Sequence, residues 1–315
     1  MKAVRTFAED VAHDLSLREK QLQSKYLYDP LGIRLFEAIC RLPWYRITRG
    51  EISLLRKHSE EIAAELPGPL TVTELGPGDG EKIALLVPAL ARHRDSLVTH
   101  LIDISQTALD QTERQLDRYE GVSVVGHRTT YEAGLKRVAA ERSNGDRLLV
   151  LFLGSNLGNF DPEAAEEFLR SIREALQPDD ALLIGADLVK PEPELLLAYD
   201  DPLGVTAAFN LNLLVRINRE LGGKFDLSAF RHQAVFDAEK SRVEMRLESL
   251  RAQAVPIPGA GVTAEFREGE TIWTESSYKF RRASLAALVE GVGFRHRQEW
   301  LEPESRFALG LFLAE

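Results

Sequence analysis

The stretch Val72-Thr73-Glu74-Leu75-Gly76-Pro77-Gly78-Asp79-Gly80 decides the fold. A short apolar run ends there in glycines, so the backbone can turn sharply and a ligand can approach it closely. A second apolar run, Leu101-Ile102-Asp103-Ile104, ends in an acid about twenty-five residues further on, where a ribose hydroxyl pair can be gripped. The loop reads Glu-Leu-Gly-x-Gly-x-Gly rather than the full Gly-x-Gly-x-x-Gly, and Glu74 opens the turn. That favours S-adenosylmethionine over a dinucleotide. The loop alone leaves two alternatives: a generic nucleotide-type fold and a purely structural turn.

Working outward, short apolar segments alternate with helical ones, as in βαβ units with a parallel sheet. Strands are expected at 70–75, 97–103, 121–126, 147–153 and 180–187, and helices near 80–93, 106–119, 130–142 and 162–177. Leu148-Leu149-Val150-Leu151-Phe152-Leu153 is apolar throughout, as a strand buried on both faces should be. Before this region, helices are expected at 5–24, 31–41 and 49–65. The alternation breaks after Lys190, at Pro191-Glu192-Pro193-Glu194. A helical stretch is expected over 194–221, then period-two runs over 230–275 with a hairpin at Asp237-Ala238-Glu239-Lys240. A helix at 283–292 and strands at 294–300 and 307–313 complete the main sheet. The expected fold is therefore α/β, a Rossmann-like methyltransferase sheet with a second, smaller α+β domain. The first domain comprises 50–189 plus 280–315, and the second, which binds the substrate, 1–49 plus 190–279.

The bulk composition narrows the function. The chain has 315 residues, 44% hydrophobic and 28% charged, the proportions of an ordinary globular protein. Its net charge of −10 weighs against a nucleic-acid substrate, which needs a basic face to neutralise phosphates. The only cysteine, Cys40, excludes an intrachain disulfide and reads as a small core residue. The N-terminus has no apolar signal-peptide core, and no apolar run approaches a membrane span. A cytoplasmic protein is expected. The seven histidines and the cysteine have no zinc-ligand spacing.

In an open parallel sheet, ligands bind at the carboxyl ends of the strands. That gathers Gly76, Gly78, Asp103 and the loops after 126 and 153. Gly76 and Gly78 are expected to turn backbone N–H groups toward the methionine end of the cofactor. Lys82, one turn into the next helix, is expected to pair with the cofactor carboxylate. Asp103 is expected to accept both ribose hydroxyls, the plainer alternative being a helix cap before Ser105. In Gly154-Ser155-Asn156-Leu157-Gly158-Asn159-Phe160, amides can hold a substrate carboxylate or amine, or simply make a turn, with Asn159 free to cap the next helix.

Further pieces carry a resemblance. They are Leu27-Tyr28-Asp29-Pro30-Leu31-Gly32, Arg41-Leu42-Pro43-Trp44-Tyr45-Arg46-Ile47-Thr48-Arg49, Gly154-Ser155-Asn156-Leu157-Gly158-Asn159, Arg242-Val243-Glu244-Met245 and Thr274-Glu275-Ser276-Ser277-Tyr278-Lys279-Phe280. The most specific is Ala198-Tyr199-Asp200-Asp201-Pro202-Leu203-Gly204-Val205-Thr206-Ala207-Ala208-Phe209-Asn210. Together they resemble the histidine-specific N-alpha-methyltransferase family, from about residue 20 to the end. The resemblance implies an S-adenosylmethionine-dependent enzyme that trimethylates histidine to hercynine, opening ergothioneine biosynthesis. Matched motif to motif, Tyr28 and Tyr45 would line the substrate amine, and Asn159 and Tyr199 would bind the α-carboxylate. Glu275 and Ser277 would hold the imidazole, with Met245 packed near it. Gly76, Lys82 and Asp103 match cofactor positions.

The sequence departs from the family pattern after the third strand, where relatives carry an acid and an aromatic for the adenine. Gly126-His127-Arg128-Thr129-Thr130-Tyr131 stands in that place, and His127 or Thr129 is expected to substitute through hydrogen bonds. The same chemistry on another amino acid, such as tryptophan or a derivative, is the first alternative. An inactive cofactor-binding partner protein and an RNA methyltransferase are the others. A monomer acting on a small amino acid, without nucleic acid or membrane, is the expectation.

Overall fold

The computed structural model of the chain describes residues 5–92, 94–143 and 145–315. Residue 93, the last of the helix expected over 80–93, and the first four residues of the N-terminus lie outside the described residues. The chain divides into two compact units, Met1–Arg46 with Lys190–Ser277, and Ile47–Val189 with Tyr278–Glu315.

The second unit is built on seven strands: β1 Leu70–Leu75, β2 Leu97–Asp103, β3 Val122–Arg128, β4 Arg147–Phe152, β5 Ala181–Asp187, β6 Phe294–Glu302 and β7 Phe307–Ala314. Their spatial order is β6-β7-β5-β4-β1-β2-β3. Strands β1 to β5 run parallel, and β7 is antiparallel to both β5 and β6. The order reverses at β1, so the crevice beyond its carboxyl end is the topological switch point where such sheets bind ligands. Helices Ile83–Ala91, Gln106–Leu116, Tyr131–Glu141 and Pro162–Ala175 connect the parallel strands. Two of them begin at clear start signals, the Ser105 hydroxyl accepting the Ala108 N–H and Pro162 at the first helical position. Strands β4 and β5 bury nearly every side chain, in a core with Leu75, Ile102, Phe168, Leu169 and Phe312. Fully burying each such side chain is worth roughly 1.5–3 kcal/mol.

The first unit carries helices Phe7–Ser16, Pro30–Arg41, Glu192–Tyr199 and Val205–Leu221. It has a four-stranded sheet in the order Lys20–Gln21, Thr271–Tyr278, Arg242–Ser249, Phe230–Asp237, and a hairpin of Gln253–Ile257 with Val262–Phe266. The turn expected at 237–240 joins the antiparallel strands Phe230–Asp237 and Arg242–Ser249.

Three sequence expectations are corrected here. The helix expected over 5–24 stops at Ser16, because Leu17 is extended and Lys20–Gln21 pairs with Ile272–Trp273 as a parallel strand. The helical stretch over 194–221 is two helices, broken where Asp201 accepts the N–H groups of Leu203, Val205 and Thr206. Cys40 is only partly buried, and its neighbour Ile39 takes the core position. The unit divisions fall at 46/47 and 277/278. Helix Arg46–Ala64 runs on through 49/50, and Lys279 is fixed in the second unit by a fully buried ion pair with Asp187 at 3.0 Å.

Candidate active site

In the second unit, Gly76 follows β1 with φ +73°, and an added Cβ would lie 2.6 Å from the Tyr131 hydroxyl and 3.6 Å from Asn156 Nδ2. Glycine is required there by both conformation and space. Its N–H donates to the Ile102 carbonyl at 2.9 Å, which corrects the expectation that this amide faces a cofactor. Gly78 has φ +61° and open space where a side chain would start.

Glu74 is fully buried and its Oε2 has no hydrogen-bond partner among the described residues. Burial pushes its carboxyl up to about 8; Lys82 pulls it down, while Glu51, Asp79 and Asp103 add to the rise. Asp103 ends β2 and is held above the ordinary carboxylate range by burial, against the pull of the Ser105 and Ile104 backbone. One of its oxygens accepts the Ser105 N–H at 2.8 Å. Ser105, not Asp103, caps the following helix. An unpartnered buried carboxylate oxygen, an open cradle at Gly78 and an acid at the end of β2 fit a zwitterionic nucleoside.

Lys82 lies 2.7 Å from Glu51, a fully buried residue of helix Arg46–Ala64. Both Glu51 oxygens also sit 2.9 Å from the Gly154 N–H. This acid therefore ties the helix after the glycine loop to the loop after β4. A Cβ on Gly185 would fall 1.9 Å from Glu51 Oε1, so that glycine exists to admit the carboxylate. In sequence Glu51 is only one acid near the start of the helix expected over 49–65; the signal that marks it is a glycine, Gly185, inside an otherwise bulky buried strand.

His127 does not turn toward the cofactor crevice. Its Nε2 lies 2.9 Å from His100 Nδ1, with the rings stacked at 5.1 Å. Burial holds both rings below the usual histidine range, so the pair is neutral near pH 7. Tyr131, which the sequence reading passed over, reaches the crevice instead, its hydroxyl against Gly76. Asn159 ends a short 3₁₀ turn, Asn156–Asn159, and is exposed; Asp161, not Asn159, occupies the cap position of the next helix.

In the first unit, the tyrosines named by sequence come together. Tyr28 packs edge-on against Phe36 and Phe209, at 5.5 and 5.6 Å. Phe36 contacts Tyr45 at 6.3 Å, and Tyr45 contacts Tyr199 at 6.1 Å. The Tyr199 hydroxyl donates to Ser277 Oγ at 2.8 Å, both groups buried. Ser277 and Glu275 alternate on one strand and so share a face, on the strand beside the one that carries Met245. Phe36 and Phe209 were not singled out from sequence; Phe209 stands inside the run 198–210 that carries the resemblance, whereas Phe36 has no local signal. Asp29 fixes this cluster by accepting from Gly32 N–H, Asn212 Nδ2 and Arg219, which joins the Tyr28 turn to helix Val205–Leu221.

The strand order, the glycine loop and the acid after β2 define an S-adenosylmethionine-dependent methyltransferase. The chain belongs to the histidine-specific, S-adenosylmethionine-dependent methyltransferase family, whose sequence model matches residues 7–314. It is 38% identical over 313 residues to the histidine N-alpha-methyltransferase of Mycolicibacterium smegmatis, spanning 98% of this chain and 95% of that protein. It is 32% identical to ergothioneine biosynthesis protein 1 of Schizosaccharomyces pombe over 89% of this chain and 37% of that protein. The 4-dimethylallyltryptophan N-methyltransferase of Aspergillus fumigatus is 25% identical over 94% of this chain and 90% of its own length.

Proposed function

We propose that the chain transfers methyl groups from S-adenosylmethionine to the α-amino nitrogen of free L-histidine, three in succession, giving hercynine at the start of ergothioneine biosynthesis. It acts as a cytoplasmic monomer and not on nucleic acid. The observation that carries the reading is the run of rings Tyr28, Phe209, Phe36, Tyr45 and Tyr199 ending on the Ser277 hydroxyl, in a chain of the histidine-specific family. Aromatic faces stabilise a cation that gains methyl groups and loses hydrogen-bond donors at each turn.

When bound, the cofactor supplies an electrophilic methyl group on a sulfonium. Gly76 would leave room for it, and Gly78, Lys82 and Asp103 would hold it, with Tyr131 at its crevice. Tyr28 and Tyr45 face the substrate amine. Asn159 and Tyr199 take the α-carboxylate, Glu275 and Ser277 the imidazole, and Met245 packs against the ring. The amine must be neutral to attack. An α-amino group has a solution pKa of about 8 in a peptide and somewhat above in a free amino acid, so deprotonation near neutrality costs about 1.4 kcal/mol per pH unit, a few kcal/mol in all. Positioning, rather than a strong base, therefore carries the rate, and water or a tyrosine hydroxyl suffices to receive the proton.

The test is to incubate the protein with S-adenosylmethionine and each of the twenty amino acids and read mass increments. Three methyls on histidine alone are expected. Increments only on tryptophan or tyrosine would move the substrate to another member of the same chemistry. No increment on any would leave a cofactor-binding protein without this activity.

A further inference from the structure

The run from Tyr199 to Asn210 contains a buried side chain that none of these roles uses. Asp201 is accounted for by the turn it closes. Asn210 is fully buried and sits on helix Val205–Leu221 facing strand Phe230–Asp237. Its Nδ2 lies 2.9 Å from His232 Nδ1 and donates to the Arg246 carbonyl at 3.1 Å. The other ring nitrogen, His232 Nε2, lies 2.8 Å from the Tyr199 carbonyl oxygen.

These contacts fix the proton. A carbonyl can only accept, so Nε2 carries the hydrogen and donates to Tyr199. Nδ1 is then an acceptor for the Asn210 amide. Turning that amide over would set its oxygen against the Arg246 carbonyl, acceptor against acceptor. Burial keeps the ring below the usual histidine range, against the opposing pull of the Tyr199 carbonyl, Asp200 and Asp201, which agrees with a neutral imidazole.

Tyr199 is the last residue of its helix, and the last four carbonyls of a helix have no partner within it. His232 supplies that partner from a neighbouring strand. Tyr199 is thus held at both ends, its carbonyl by His232 and its hydroxyl by Ser277. We propose that His232, oriented by Asn210, is a positioning residue that sets the place of the Tyr199 hydroxyl in the substrate-carboxylate site. This rests on the assignment of Tyr199 to that carboxylate.

The two amide side chains separate positioning from bulk stability. Asparagine places its amide near the Nδ1 position of histidine, and glutamine reaches the Nε2 position. His232→Asn therefore loses the donor to Tyr199, and histidine KM rises about tenfold, the scale of one hydrogen bond. kcat and the cofactor Kd stay within about twofold. His232→Gln restores a donor at the Tyr199 carbonyl, and KM returns to within about threefold of the parent. An equal rise in both variants, a worse one in His232→Gln, or a shift in cofactor Kd overturns the proposal. If His232→Asn does not fold, Asn210→Ala reads the same clamp from its other end, with an expected KM rise of about threefold; no rise overturns the proposal. Tyr199→Phe is measured alongside. An unchanged KM there removes Tyr199 from the carboxylate site and this inference with it. A raised KM there beside an unchanged one in His232→Asn overturns this inference alone.

Discussion

Replacing Glu74 by glutamine should make the protein more stable at pH 8 than the parent, and the advantage should shrink as the pH falls. Glu74 is a wholly buried acid with an unpartnered oxygen, pushed from 4.5 up to about 8 by burial. Its folded value lies above its unfolded value. Between about pH 4.5 and 8 the folded chain keeps a proton that the unfolded chain has lost, so this group's contribution to stability falls as pH rises through that window and is level above it. The separation converts, at about 1.4 kcal/mol per unit, to at most about 5 kcal/mol across the window. Glutamine mimics the protonated acid in size and cannot ionise, so it removes the penalty. Urea unfolding of both proteins at pH 5, 6, 7 and 8, without cofactor, gives the difference in unfolding free energy at each pH. The expected difference grows steadily in favour of Glu74→Gln. A difference that stays flat, or that favours the parent at high pH, refutes the reasoning, because it would mean that Glu74 is ionised in the folded protein and compensated by Lys82.

Gly76→Ala forces an L side chain into φ +73° and against the Tyr131 hydroxyl at 2.6 Å. It should cost about 1–2 kcal/mol and weaken S-adenosylmethionine binding by at least about tenfold in calorimetry; an unchanged Kd would remove the glycine loop from the site. Glu275→Ala should raise the histidine KM by about ten- to a hundredfold, the scale of a hydrogen bond to a charged group, while leaving the cofactor Kd alone. Arg142→Ala removes the counter-charge of the buried Asp180 carboxylate, which it meets at 2.6 Å, leaving only the Leu148 and Gln177 N–H groups to hold it, and should lower stability by about 3 kcal/mol, read as a large drop in melting temperature.

The central strands β4 and β5 were legible because burial on both faces writes itself into the sequence as nearly unbroken apolar runs, and β1 and β2 because each short apolar-rich segment ends in a local mark, the glycine loop or Asp103. β1, β2, β4 and β5 fall within a residue of their expected bounds. The glycine loop and Asp103 were legible for a related reason, since positive φ and a strand-end acid leave a local mark. Residues 17–24 were not, because a two-residue strand such as Lys20–Gln21 has too short a pattern to compete with a helical one. Its partner, Ile272–Trp273, lies some 250 positions away. His127 was misplaced for want of the same long-range information. Whether a histidine on a strand faces a crevice or the covering helix depends on a one-residue register, and in β3 that register turns it onto His100.

Glu51, His232 and Asn210 mark the deeper limit. In the sequence a buried acid in a helix reads like a solvated one, and a histidine in a strand reads like a half-exposed one. What distinguishes them is the partner, and the partners lie 103 residues away for Glu51 and Gly154, 33 for His232 and Tyr199, and 22 for Asn210 and His232. Each of these polar groups would be costly to bury alone. Their persistence in packed positions therefore needs a return, and in each case the group held in place is one assigned to ligand: Lys82 and the loop of Asn159 by Glu51, Tyr199 by His232. The residues that touch ligand can be found by motif, whereas those that aim them are found only by asking why a buried polar side chain is there.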